Sequence, residues 1–383
     1  MKYKLTCLTP TLVGDGQKLS PIDYMVWKDH VNVLDQKRIF KLLAKGPRLE
    51  SYLVQLRKAE KLDFASWGGF AQNYAGRRIP LEHPDIANIW NRQMGEHLFI
   101  PTFASGLAGA YLPASALKGA LHTGFLFSRW SEHASKMVQE SFQRDRLPRW
   151  PAEPAEAHGV GLEGYSKMRG VAVTDSAAVT PGVMKIYVVR TANLVSRGGK
   201  TELGWKQAGR GNVEAKRVDD STPVFCEMAA PGTQFFGSIT RPMSLSGAEM
   251  ASALRWKEAP KVSAVLEAAN DFAAKLLENH ESYCSAAGLP EVERSLQELR
   301  GQLDKCRTAG NGCLLQIGWG GGFLSKVSVQ DTAQDGFRNL LRQLPMFGRS
   351  IQSGLPFPKS RRVVFQAGKP AALPGWALLE VEP

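Results

Sequence analysis

Apolar and polar side chains alternate along KYKLTCLTP at the start of the chain, the period of a half-buried strand, and Pro10 ends it. Gly14, Asp15 and Gly16 then mark a tight turn. Alternation returns over 22–27 and 31–34 on either side of Lys28, Asp29 and His30, which predicts a hairpin with a three-residue loop. Asp35 is placed to cap a helix whose apolar positions Ile39, Leu42 and Leu43 recur at helical spacing, and Leu49, Leu53, Leu56 and Ala59 extend that layer. Residues 64–95 keep no clear period and read as an insertion. From 97 to 129 the pattern sharpens into a short strand and then a helix opened by Pro113 and Ser115. Its buried stripe is Leu117, Leu121 and either Gly124 or Phe125, which leaves Lys118 and His122 on another face.

Residues 145–166 are dense in Pro, Gly and Glu and read as a linker or flexible loop, with a domain boundary nearby. Beyond it, strands are expected over 170–173 and 185–189, followed by a pair, TPVFCEMAA and TQFFGSITR, joined by Pro231 and Gly232. Between 261 and 279 the positions Val262, Val265, Leu266, Ala269, Phe272, Ala273 and Leu276 trace one helical face. Val292, Leu296, Leu299, Leu303 and Cys306 repeat in alternating steps of four and three, so 261–308 is expected to be a helical hairpin closed by SAAGLP. A strand LLQIG, the run GWGGGFLSKV, a helix with Phe337, Leu340 and Leu341, the stretch FPKSRRVVF and a last strand GWALLEV complete the chain. The pattern is α+β, and 383 residues favour two domains, expected at 1–165 and 166–383.

Composition narrows the class. Hydrophobic residues are 43% and charged residues 22%, and no apolar run reaches the roughly 18 residues of a membrane span. The first residues lack the apolar core and cleavage site of a signal peptide. The five cysteines are odd in number, widely spaced and without a C-x-x-C pair, which suits a reducing cytoplasm.

The net charge of +12, with a pI near 9.5, favours a polyanionic partner. Half of that excess sits in 181–217, where eight basic and two acidic residues are interleaved with glycines and strand-forming runs. The segment suggests a hairpin with a long, mobile basic loop carrying Arg197, Lys200 and Arg210, able to lie along phosphates. A solvated surface loop is the plainer reading.

Signatures of catalysis are missing. The seven histidines are scattered without H-E-x-x-H, and His280 with Cys284 is the nearest approach to a metal spacing; one pair does not hold zinc. Neither a G-x-S-x-G elbow nor a phosphate loop of the G-x-x-x-x-G-K-[ST] type occurs, so no cofactor or metal is called for. Asp15 and His122 remain as lone acid or base candidates, beside the commoner roles of a turn carboxylate and a helix-surface imidazole.

Gly318, Gly320, Gly321 and Gly322, directly after a strand and before Phe323, Ser325 and Lys326, are the most informative local feature. Glycines let backbone N–H groups approach an anion, and Lys326 adds a charge. No βαβ context surrounds the run, so a dinucleotide site is poorly supported, and a mere tight turn is the alternative. Lys118 and Lys326, with Lys359, Arg361 and Arg362, are candidate phosphate contacts. Phe323 and Trp319 are candidates to stack on bases, whereas Trp376, in the terminal strand, is better placed in the core.

Taken together, LTPTLVGDGQKLSPIDYMVW with VNVLD, YLPASALKGALHTGF, PVFCEMAAPGTQFFGSI, IGWGGGFLSKV, FPKSRRVVF and PGWALLEV resemble, in order and spacing, the RAMP superfamily of CRISPR-associated proteins. The likeness runs nearly end to end. Within the superfamily it is nearest to the subunit that caps the 3′ end of the guide RNA (crRNA) in type III-A (Csm) effector complexes.

The resemblance implies two ferredoxin-like, RRM-related domains of βαββαβ core, with helical insertions and a C-terminal glycine-rich loop, 318–326, facing the RNA. Implied partners are the crRNA, the backbone RAMP subunits and small helical subunits of the Csm complex, and trimming nucleases that act in guide maturation. Ala114 stands where the family has a glycine and His122 where arginine is common, while Lys118 keeps its place. Two rivals stay open: a RAMP endoribonuclease using His122 or Asp15, and a docking subunit that never touches RNA.

Overall fold

The computed structural model describes every residue except 45, 47, 59–60, 63–72, 145–148, 209–213, 246, 257–259, 353–354 and 383. Its organising element is strand Lys2–Cys7, which turns Tyr3, Leu5 and Cys7 inward as the alternation requires. This strand lies between Trp376–Glu382 and Gln234–Thr240, antiparallel to both, with Leu5 opposite Leu379 and Tyr3 opposite Gly237. Gly312–Gln316 and Ala172–Val173 form the outer edges of the five-stranded sheet. The division expected at about residue 165 crosses this sheet, because its first strand is paired on both sides by strands from the second half of the chain.

Helices Ala114–Phe127 and Val262–Ala287 cover the inner face and share one apolar core with it. The stripe Leu117, Leu121, Gly124 and Phe125 is buried, so Gly124 and Phe125 both belong to it. At Gly124 a Cβ would come within 2.7 Å of the Ala269 Cα, so the two helices touch backbone to backbone where only glycine fits. The second helix carries its buried face past Asn279 through Tyr283, Cys284 and Ala287 and ends within SAAGLP, where the hairpin was expected to close. Gly288, in the left-handed conformation (φ 66°), closes it, and Pro290–Ala309 returns with Val292, Leu296, Leu299, Leu303 and Cys306 all buried.

A second antiparallel sheet is built on the 14-residue strand Met184–Arg197. One edge pairs first with Val224–Ala229 and then with Lys200–Lys206, while the other pairs with Ser360–Gln366. The long basic loop expected here is instead a two-residue turn: Arg197 pairs with Lys200 across Gly198 and Gly199, both at positive φ. The strand extends that far because Ala192, Leu194 and Val195 are buried. Arg210 lies outside the described residues. The segments around Pro231 and Gly232 are both strands but do not pair with each other; Val224–Ala229 joins this sheet and Gln234–Thr240 the first.

Three further expectations change. Tyr24–Trp27 and His30–Leu34 turn through two residues rather than three, with Lys28 at φ 52°, while Asp35 caps Gln36–Leu43 by accepting from the Arg38 N–H at 3.1 Å. In the stretch read as an insertion, 64–72 lies outside the described residues, but Ala75–Pro80 pairs with His30–Leu34 and Asp85–Asn91 is a helix. The expected linker holds helix Glu153–Gly159, whose Ala155 packs against Ala134, Val138 and Phe142. The fold is thus α+β with antiparallel sheets, and among the described residues no helix is long and apolar enough to cross a membrane.

Candidate nucleic-acid interface

Three segments far apart in sequence meet at a cleft of about 810 Å³: the glycine run, the start of strand Ser360–Gln366, and the chain around Lys206 with the facing part of Met184–Arg197. The glycines serve two different ends. A Cβ at Gly318 (φ 73°) would overlap the Leu12 carbonyl, which accepts the Trp319 N–H at 2.7 Å, and one at Gly320 (φ 103°) would sit 2.5 Å from the Pro374 ring. Gly321 is likewise crowded by Ser325. Only Gly322 (φ 77°) opens on free space. The first three let the loop pack on the body, and the fourth shapes its exposed turn. Among the described residues the N–H groups of Gly320, Gly321 and Gly322 donate to no backbone carbonyl, and of the three glycines only Gly322 is exposed.

Neighbouring arginines behave differently. Arg361 is buried: its Nε donates to His280 Nδ1 at 2.9 Å, its Nη1 donates to the Pro358 and Ser360 carbonyls at 2.8 and 3.0 Å, and its guanidinium lies 4.4 Å from the Tyr283 ring centre. Arginine has only donors, so His280 Nδ1 accepts and Nε2 carries the hydrogen. That Nε2 faces Gln316 Oε1 at 3.3 Å, and Gln316 Nε2 donates to the Pro374 carbonyl at 3.0 Å. One chain of hydrogen bonds therefore ties strand 360–366 through helix 262–287 to the glycine-loop strand. Burial, then the Arg361 charge, hold His280 well below the usual histidine range, and burial pushes Arg361 down to about 10, still cationic at neutral pH. Arg362 is half-buried with its guanidinium 4.3 Å from the Trp319 ring centre, and burial lowers its pKa as well.

Lys359 is half-buried and Lys206 exposed at the cleft, and Glu214, accepting from Asn193 Nδ2 at 3.2 Å, is the carboxylate among the lining residues. Phe323 lines the cleft but is committed to packing, edge-on to Phe347 and Phe357 at 5.2 and 5.1 Å. Trp376 is in the core, beside His280.

Of the residues singled out from sequence, Gly320, Gly321, Gly322, Phe323, Lys359, Arg361 and Arg362 gather here. The others among the described residues do not line the cleft. Lys118 is half-buried, with desolvation and then the Arg169 charge lowering its pKa, and His122 Nε2 sits 3.3 Å from Glu156 Oε1. Arg197 donates to the Glu214 carbonyl at 3.2 Å, and Lys200 is exposed at the hairpin turn. Gly318 is packed under the loop, and Lys326 is exposed though partly desolvated, which lowers its pKa. Sequence reasoning missed Lys206, Glu214, Gln316 and Met346, and treated His280 only as half of a metal pair. Lys206 was within the basic stretch already counted; the rest carried no local signal.

Neither lone acid–base candidate has a catalytic setting: the Asp15 carboxylate accepts the Gln17 N–H at 3.0 Å in an exposed turn, and His122 contacts Glu156. Among the described residues no three metal-ligating side chains cluster.

No family model matches the chain. A curated relative, described as "CRISPR system Cms protein Csm5" of Methanocaldococcus jannaschii, is 21% identical over 356 residues, spanning 85% of this chain and 72% of the relative. Among solved structures, a chain of the cryo-EM structure of a Csm–crRNA–target RNA ternary complex of a type III-A CRISPR–Cas system matches with a TM-score of 0.65 at 18% identity, over 99% of this chain and 100% of that one. The crystal structure of T. onnurineus Csm5 matches with a TM-score of 0.61 at 18% identity, over 98% and 99%. The type III-A likeness carried by the motifs is the one these proteins share, and from end to end the chain has the Csm5 fold.

Proposed function

We propose that this chain is a non-catalytic, crRNA-binding subunit of a type III-A Csm ribonucleoprotein, seated at the 3′ end of the guide and supporting crRNA maturation and complex assembly in antiviral defence. The observation that carries this reading is the cleft, where backbone N–H groups of the glycine loop meet Lys206, Lys359, Arg361 and Arg362. Such donors recognise ribose–phosphate without reading bases. The likeness to Csm5 and to a chain of the Csm–crRNA assembly supports crRNA and other Csm subunits as partners; to these we add the repeated backbone subunits, the small helical subunits and trimming nucleases, in the cytoplasm.

We read the five-stranded sheet as ferredoxin-like. Along Trp376–Glu382, Lys2–Cys7, Gln234–Thr240 and Ala172–Val173 the strands follow the order 4-1-3-2 of a βαββαβ unit, with helices Ala114–Phe127 and Val262–Ala287 in the two crossover positions. The sheet built on Met184–Arg197 is the counterpart in the second unit.

Fluorescence anisotropy of a labelled single-stranded RNA, titrated with the full chain at several salt concentrations, tests the reading. Four phosphate contacts give a slope of log K on log salt of about −2.8, and so a loss of about fifty-fold in affinity between 50 and 200 mM. An affinity unchanged over that range would overturn it. Pull-down of the tagged chain from cells should recover crRNA and companion subunits.

A further inference from the structure

Beside its cations and its polar side chains, the cleft is lined by an apolar set: Phe323, Leu324, Leu373 and Met346. Met346 is the unusual member. It stands on helix Pro345–Gln352 with 76% of its surface exposed, while Phe347 and Ile351 of the same helix turn into an aromatic cluster with Phe323 and Phe357. The helix is therefore anchored without Met346, and Phe347 places it beside Phe323. A large apolar side chain left in water next to a row of cations is the complement of a nucleotide, which offers a charged phosphate and a flat apolar base. The volume, about 810 Å³, is in the range of small-molecule sites.

Resting on the RNA-binding reading above, we propose that Met346 forms a platform for one unpaired nucleobase of the strand whose phosphates the cations hold. An unbranched thioether adapts to any base, so the platform adds affinity without sequence preference. Phosphates alone would need only the cations and the glycine amides; the platform makes the cleft distinguish a base-bearing strand from a bare ribose–phosphate chain.

The test compares labelled octauridylate with an abasic ribose–phosphate octamer of equal charge, titrated with the full chain and with Met346→Ser, a surface change that spares the aromatic cluster. The platform predicts about tenfold tighter binding of octauridylate to the native chain. It also predicts a smaller gap in Met346→Ser with the salt slope unchanged, and slower peroxide oxidation of Met346 when octauridylate saturates the protein. Equal affinities with a steep salt slope would remove the platform and leave the phosphate cradle standing. A gap that survives Met346→Ser, with Met346 still freely oxidised, would also remove it by placing the stacking elsewhere. Failure of both probes to bind would end the cradle reading and the platform with it.

Discussion

Two cationic regions stood out from the sequence on equal terms, the helix with Lys118 and His122 and the strand with Lys359, Arg361 and Arg362, and the fold treats them differently. On helix Ala114–Phe127 the buried stripe faces the sheet, so Lys118 and His122 sit on a flank where Arg169 and Glu156 are their neighbours. Strand Ser360–Gln366 instead starts beside the glycine loop and opposite the Met184–Arg197 strand, and its cations share a cleft with the glycine-loop amides. A cation becomes a recognition element through the company that tertiary structure gives it, and residue type alone does not reveal that company.

The largest effect that sharpens this contrast lies at Arg361. Arg361→Ala removes the only described donor to His280 Nδ1 and empties a buried site, and should cost about 3 kcal/mol in urea unfolding, with RNA binding lost in step. Within the glycine loop, Gly318→Ala should cost about 2–3 kcal/mol, since positive φ and overlap with the Leu12 carbonyl act together, whereas Gly322→Ala, with positive φ but free space, should cost about 1 kcal/mol. Equal costs would mean that close packing does not select the glycine at 318.

Paired substitutions test the comparison itself. Lys359→Ala with Arg362→Ala should lower RNA affinity about tenfold and flatten the salt slope by about 1.4, while Lys118→Ala with His122→Ala should leave both within about twofold. The reverse result would move the RNA to the helix.

The smallest effect is on pH. Folded His280 titrates below an unfolded histidine, whose pKa is about 6.5, so the unfolded chain takes up the proton first. Stability from this residue is full above about pH 6.5 and declines as pH falls through it, by at most about 1.4 kcal/mol per unit. Urea midpoints between pH 7 and 5.5 should fall more steeply for the native chain than for His280→Gln.

Features that depend on sequence neighbours were legible: the alternation of Lys2–Cys7, the Asp35 cap, the stripe from Val292 to Cys306 and the Gly124–Phe125 face. The Gly198–Gly199 turn was legible too, as a Gly-Gly pair between alternating runs, but the density of charge suggested a loop. The different fates of Arg361 and Arg362 were not. Strand alternation sends consecutive side chains to opposite faces, yet which arginine is buried depends on His280, 81 residues away. The pairing of the first strand with the last had no local trace at all, because register across hundreds of residues is decided by the shared core.

That pairing bears on how the molecule comes into being. Lys2 lies opposite Glu382 and Ser238, so both pairings of this strand close across very long stretches of chain and cost more loop entropy than a local hairpin would. Until both neighbours are in place the strand presents two unpaired edges, the state most open to pairing with a wrong strand.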